Sequence, residues 1–170
     1  MGPLTKLLPT LKDIKGEDDI IITIDDDQVY RENFIERLLQ GAKVFPNQCV
    51  TFGGWNYCSF MFLTLNLYSF PNTKVDILQG YKGTAYRPRF FHQDFFDNHD
   101  RFKECFTVDD IYISMHLKKH GVSIVKLKYD RKQNSPLVGQ LNSESPLGLV
   151  NLRNFVWGKC IKRLRKDLLG

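Results

Sequence analysis

The chain has 170 residues, 42% of them hydrophobic and 25% charged, with a formal net charge of +5. That length suits one domain with a core of its own, and that composition excludes a long disordered or low-complexity protein. No apolar run is long enough to span a membrane, and the opening residues 1–4 have neither the charged nor the apolar part of a signal peptide, so a cytoplasmic protein is expected. The cysteines Cys49, Cys58, Cys105 and Cys160 are scattered, with no CxxC pair and no zinc spacing, and read as reduced, buried thiols.

In chain order, residues 3–12 read as a short helix with proline in its opening turn and Pro9 as its end or bend. Residues 20–24 are β-branched throughout and, apart from Thr23, apolar, which predicts a strand covered on both faces within a parallel sheet. Asp25, Asp26 and Asp27 follow it directly. Phe34, Ile35, Leu38 and Leu39 then recur at helical spacing, with Gly41 as the stop. Residues 49–53 and 75–79 read as further strands, while the aromatic-rich 57–70 stays open between strand and irregular structure. Thr107 or Asp109 caps a helix running to His120 and closed by Gly121, after which residues 122–128 return as a strand. Residues 130–148, with Pro136, Pro146, Gly139 and Gly148, read as a mobile loop, and 149–169 as a terminal helix. There is no internal repeat. Strands alternating with helices indicate an α/β fold, in which ligands bind beyond the carboxyl ends of strands. The acid triplet is predicted at such an end.

Three adjacent carboxylates raise one another's pKa and destabilise their site unless a cation or hydrogen-bond donors compensate. Asp25 and Asp27, separated by one residue at a strand end, can hold a divalent cation, with Mg2+ or Mn2+ the best match to oxygen ligands. A cation held this way neutralises a diphosphate leaving group and suits transfer from a nucleotide-activated donor. A solvated acidic turn that caps the next helix competes with that reading, because Asp is favoured at helix starts as well. The run Ile24, Asp25, Asp26, Asp27, Gln28, Val29 also resembles the first motif of haloacid-dehalogenase-like phosphatases. That resemblance would make Asp25 a nucleophile and Asp27 an acid, with Asp109 and Asp110 mimicking a late acidic pair. In that family, however, the late pair follows a strand, and here it precedes a predicted helix.

A second resemblance spans most of the chain. GPLTKLLPTL (residues 2–11), IIITIDDDQVY (20–30), GYKGTAYRPRFF (80–91) and CFTVDDIYISMHLKKHGV (105–122) together resemble a nucleotide-sugar glycosyltransferase of the GT-A fold. More narrowly, they resemble a bacterial and viral group with DDD in place of a plain DxD. The resemblance implies a Rossmann-like, three-layer α/β/α fold with a mostly parallel central sheet. It implies one glycosyltransferase-like domain over residues 1–170. Nucleotide and metal binding fall in about 1–80, acceptor binding and catalysis in 81–129, and a loop with a basic helix in 130–170.

Carried onto single residues, the resemblance implies that Asp27, helped by Asp25, binds Mn2+ or Mg2+ and the donor diphosphate, with Asp25 or Asp26 alternatively touching the ribose. Lys6, in the GPxTK position, would contact the nucleotide; an exposed helix lysine is the alternative. Gly80 and Gly83 would let backbone approach a ligand closely. Tyr81, Lys82, Tyr86 and Arg87 would line the donor or acceptor pocket, unless the segment is only a packing element. Asp110, or else Asp109, would take the proton from an acceptor hydroxyl in an inverting transfer. Helix capping is the competing role for that pair, and in a retaining enzyme Asp110 would orient substrate instead. The donor would be UDP- or GDP-linked and the acceptor a glycan, a lipid-linked sugar or a protein. The family's usual opening strand, helix and strand precede the GPxTK position. The chain is therefore expected to be N-terminally abbreviated, either as an active transferase or as a non-catalytic nucleotide-binding fragment.

His92, Asp94, His99 and Asp100 offer an alternative metal cluster, but their spacing matches no familiar site and a solvated surface loop is expected. His116 and His120, at i and i+4, lack the Glu of a zincin motif and read as surface residues. Trp55 and Trp157 read as packing residues, with Trp55, after Gly53 and Gly54, able to stack on an acceptor sugar. The basic tail, with Lys159, Lys162, Arg163, Arg165 and Lys166, reads as a solvated amphipathic helix, with peripheral contact to an anionic membrane as a second reading. No nucleic-acid-binding motif accompanies the charge, so nucleic acid is not an expected partner.

Overall fold

β-branched side chains are stiff about χ1 and favour extended backbone, and Ile21, Ile22 and Thr23 form strand β1 (Ile21–Thr23). The structure, a computed structural model, describes residues 3–57, 64–65, 72–98, 105, 107–128, 134–136 and 156–168. Ahead of β1, a 3-10 turn (Pro3–Lys6) leads into α1 (Leu8–Asp13). Pro9 lies in the first turn of α1, where its missing N–H costs nothing, so it opens a helix rather than ending one. After the acids comes a short strand, β2 (Gln28–Tyr30), and then α2 (Phe34–Val44). The helix runs through Gly41, which was expected to stop it. A Cβ at Gly41 would lie 2.7 Å from Leu127 Cδ1 and 2.9 Å from Val50 Cγ1, so the glycine serves close packing of α2 on the sheet.

The remaining elements are β3 (Cys49–Thr51), β4 (Gly54–Tyr57), β5 (Thr64–Leu65), β6 (Thr73–Val75), β7 (Ile77–Leu78) and β8 (Thr84–Tyr86). They are followed by α3 (Gln93–Asn98), α4 (Asp109–Lys119), β9 (Ile124–Lys126), β10 (Asn134–Pro136) and α5 (Val156–Leu168). The expected strand over 75–79 breaks at Asp76, and its halves join different sheets. Within the expected loop 130–148, residues 134–136 pair with β2. The rest of that loop, residues 149–155, most of the aromatic run 57–70, Cys58, His99 and Asp100 lie outside the described residues.

A five-stranded sheet has the order β1-β8-β3-β9-β6. Only the β3–β9 ladder is parallel; β1–β8, β3–β8 and β6–β9 are antiparallel. The sheet is therefore mixed and mostly antiparallel in its pairings, against the expected mostly parallel one. Parallel neighbours need a long crossover, whereas β8 follows β7 through a single 3-10 turn (Gly80–Lys82) and inserts between β1 and β3.

Both faces of this sheet are covered by helices, which makes the protein an α/β fold in layers. Successive residues of β3 and β8 point to opposite sides. Val50 and Ala85 pack under Phe34, Leu38 and Ala42 of α2. Cys49 and Tyr86 face the larger cluster built from Leu8 and Leu11 of α1, Ile111, Ile113 and Leu117 of α4, and Ile161 and Leu164 of α5. Gly121, with φ +73°, closes α4 as expected, and Val122 N–H reaches back to the Leu117 carbonyl at 2.8 Å.

A disulfide joins Cys105, just ahead of α4, to Cys160 in α5. This corrects the expectation of four reduced thiols. Cys49 is a free, buried cysteine, its thiol pushed up by burial beyond the usual range. The basic residues Lys159, Lys162, Arg163 and Lys166 are exposed on α5, opposite its buried Cys160, Ile161 and Leu164, as an amphipathic helix requires. Among the described residues, no helix is long and apolar enough to cross a membrane.

Candidate active site

β1 ends at Thr23 and delivers the acids into the tight loop before β2. Asp25 donates its backbone N–H to the Tyr30 hydroxyl at 2.9 Å, and that hydroxyl donates to the Tyr81 carbonyl at 3.0 Å. One tyrosine thus pins the acid loop to the turn that precedes β8.

Into the same place comes Lys6, from the N-terminal 3-10 turn. Its Nζ lies 2.8 Å from Asp25 Oδ1 and 3.9 Å from Asp109 Oδ2. Asp109 and Asp110 open α4, where carboxylates are favoured by the helix dipole. The side chain of Asp110 turns away to the 3-10 turn, both its oxygens lying 3.1 Å from the Gly80 N–H. A Cβ on Gly80 would sit 2.7 Å from Asp110 Oδ1 and 3.4 Å from Lys6 Nζ, so no larger residue fits without moving the acid. Gly83 closes the turn with φ +80°, and a Cβ there would meet Phe34 Cζ at 2.3 Å. Four segments therefore converge: Lys6, Asp25, Gly80 and the Asp109–Asp110 pair.

The cluster holds more negative than positive charge. Burial, and next the charge of Asp109, pushes the Asp110 carboxyl up to about 7, against the opposing pull of the Gly80 N–H and Lys6. Asp110 keeps a solvent-facing edge, yet enough protein surrounds it for burial to dominate. Burial raises Asp109 as well, with Lys6 opposing. Asp109 Oδ2 is buried and accepts no hydrogen bond from the described residues, with Lys6 Nζ 3.9 Å away. Burial alone would lower the Lys6 ammonium, but Asp109, Asp25 and Asp110 together outweigh it and hold the ammonium above its usual value. Burial, with the charges of Asp25 and Asp27 added, pushes the Tyr30 phenol up to about 12. A site of this kind takes up a proton or a cation readily.

Asp27 is half-buried, with Gln28 Nε2 at 3.3 Å from its Oδ1, while Asp26 is exposed. Tyr81 is 39% exposed beside the cluster, with Lys82 Nζ 5.4 Å from its ring centre. Three other sequence candidates lie elsewhere. Trp55 is buried in the core, and Tyr86 is buried beneath the cluster, its phenol pushed well up by burial first, with lesser contributions from Cys49 and Asp110. Arg87 donates to the carbonyls of Asp18 and Ala42, tying β8 to the N-terminal region and α2. A cavity of about 220 Å³ lies toward the far end of α4, lined among others by Lys74, Ser114, Lys118 and Ser123, and includes none of these acids.

Two features escaped the sequence reading. Tyr30 carried no signal beyond following the acids. His116 and His120 were expected at the surface; His116 is 2% exposed and lies with His120 against Asp94 of α3. Their i, i+4 spacing was visible, but not which face of α4 is covered. Compared with known proteins, the chain matches no protein-family model and no curated protein sequence.

Proposed function

We propose that the chain is a metal-dependent glycosyltransferase of the GT-A type, moving a sugar from a nucleotide-sugar donor to a hydroxyl acceptor. The observation that carries the reading is the convergence of Lys6, Asp25, Gly80, Asp109 and Asp110, which come from four separate motifs of the resemblance. Layers of helix on both sheet faces and acids at the end of β1 accord with that fold.

The excess of carboxylates over Lys6 in this cluster is what favours added positive charge beside it. Asp27, with Asp25, would hold Mn2+ or Mg2+, which supplies charge neutralisation for a diphosphate. Lys6 adds a fixed positive charge beside it. Asp110 takes the proton of the attacking hydroxyl; a carboxyl near 7 is matched to that task at neutral pH. Gly80 holds Asp110 by its N–H, and the lack of a side chain there is what lets the carboxylate lie against the turn. Tyr81, exposed beside the cluster, and Lys82 next to its ring would meet the sugar.

The test is release of nucleoside diphosphate from UDP- and GDP-sugars with and without Mn2+, water serving as acceptor. One donor should be cleaved only with metal, and Asp27→Ala should lower the rate by at least about 100-fold with the fold intact. Unchanged release in that variant refutes the metal role. Phosphate release from a simple phosphomonoester, blocked by beryllium fluoride at Asp25, would point to a phosphatase instead. Nucleotide binding without turnover would leave a binding module.

A further inference from the structure

We infer that Asp94, His116 and His120 form a second metal site, selective for Zn2+ and its nitrogen-preferring neighbours, which clips α3 to α4. The site is separate from the carboxylate cluster and does not rest on the proposed transfer reaction.

One ligand atom from each residue lies within 4.8 Å of the others. His120 Nε2 is 3.0 Å from Asp94 Oδ1, and His116 Nδ1 is 3.8 Å from the same oxygen. Bonds of about 2.0 Å at tetrahedral angles put ligand atoms about 3.3 Å apart, so these separations bracket what zinc requires. The histidines stand one turn apart on α4, the spacing that brings two imidazoles to one ion. Two imidazoles and one carboxylate favour Zn2+ over Mg2+ or Mn2+, opposite to the oxygen-only acids at β1.

The surroundings resemble the outer support of a metal centre. Lys119 Nζ holds Asp94 Oδ2 at 2.6 Å, and His120 Nε2 sits across the carboxylate, 3.0 Å from Oδ1 and 3.2 Å from Oδ2, with His116 Nδ1 on the Oδ1 side. His92 stacks on His120 with ring centres 3.9 Å apart and planes 12° apart, and Phe91 stacks on His116 at 5.9 Å and 2°. Both rings are thereby oriented. His116 Nε2 accepts the His92 N–H at 3.3 Å, which leaves the proton on Nδ1 in the metal-free chain. Zinc at His116 Nδ1 moves that proton to Nε2 and gives up this long bond; at His120 the proton that Nε2 gives to Asp94 passes to Nδ1, so that Nε2 and Asp94 Oδ1 exchange their mutual contact for the ion. Leu117, Lys118 and Lys119 separate the histidines, so the Glu that makes such a pair a hydrolase is missing. The ion's role here is a cross-link, with a water completing its shell.

The experiment uses the full chain, stripped with chelator, and titrates Zn2+ by calorimetry and Co2+ by visible absorption. Supporting results are one Zn2+ per chain and an intense tetrahedral Co2+ spectrum without a thiolate charge-transfer band, which would otherwise report Cys49 or Cys58. His120→Ala and Asp94→Asn should each weaken Zn2+ by more than the roughly 10- to 100-fold that losing an outer partner costs. Asp27→Ala should leave it unchanged. No Zn2+ uptake, a thiolate band, or an affinity in both ligand variants unchanged from that of the unaltered chain overturns the site. The Co2+ spectrum of the unaltered chain decides the matter even where a variant misfolds.

Discussion

The first and last turns of α4 both hold ionisable side chains against the rest of the protein, but they balance them in opposite ways. At the first turn, Asp109, Asp110 and Asp25 share one ammonium, Lys6, and Asp110 is pushed up to about 7. At the last turn, one carboxylate faces His116, His120 and Lys119. Burial opposes its charge there, but Lys119 and then the histidines more than compensate and bring Asp94 down to about 2. An acid in deficit of cations is a proton acceptor waiting for charge, whereas an acid held by a lysine and by imidazole contacts is a structural anchor. On the proposed function, the first turn is the reactive end of the helix and the last turn its fastened end.

The largest effect expected of any change belongs to the reactive end. Asp110→Asn should keep nucleotide binding and lower transfer by about 100- to 10,000-fold, the range for loss of a general base. A wild-type rate would remove Asp110 from the chemistry. Next, reducing Cys105–Cys160 opens a link between residues 55 apart in sequence, for which the loop-entropy relation gives about 4 kcal/mol. Urea unfolding with and without reductant reads this directly. Because Cys105 lies close ahead of Asp109, reduction should loosen the first turn more than the last, as amide exchange along α4 would report.

pH separates the two ends further. Between the ordinary carboxyl value near 4 and about 7, folded Asp110 keeps a proton that the unfolded chain has released. Stability contributed there falls as pH rises through that window, by on the order of 2 kcal/mol allowing for the solvent-facing edge. Transfer rate should rise through the same pH as the base ionises. Asp110→Asn should flatten the slope in stability. Asp94 acts with the opposite sign: its contribution is present above the unfolded value and lost as pH falls toward about 2.

Smaller effects come from the lysines. Lys6→Met leaves Asp25 and Asp109 without their cation and should cost about 1–2 kcal/mol. It should also raise the pH at which transfer begins. Lys119→Met leaves His120 on Asp94, and since both groups are partly in solvent it should cost only about 0.5 kcal/mol. Equal losses from the two lysine variants would break the contrast between the ends.

Much of this architecture was legible from local pattern. The run around Ile21, the stripe of Phe34 and Leu38, and the Gly121 stop each follow from periodicity or backbone preference, which act over a few residues. Gly41 misled because a glycine required for close packing reads the same as one that ends a helix. The sheet's sense was misjudged because pairing is settled by where β8 inserts, which is a tertiary matter. The Cys105–Cys160 link escaped for the same reason: spacing alone cannot pair cysteines so far apart. At the site, the acids were readable one motif at a time, but that Lys6 would sit between Asp25 and Asp109 was not. Trp55, Tyr86 and Arg87 carried polar or aromatic groups suited to a pocket, and packing took the first two into the core and backbone carbonyls took the third. Asp94 and the two histidines were visible separately and became a group only when α3 packed on α4.

The most direct test of a cation-requiring donor site at the reactive end is calorimetric titration of UDP and GDP, with and without Mn2+, on the full chain and on Asp27→Ala. Binding of one nucleotide that needs Mn2+ and disappears in the variant is the predicted result. Failure of both nucleotides to bind, or binding indifferent to Mn2+ and to Asp27, would contradict it.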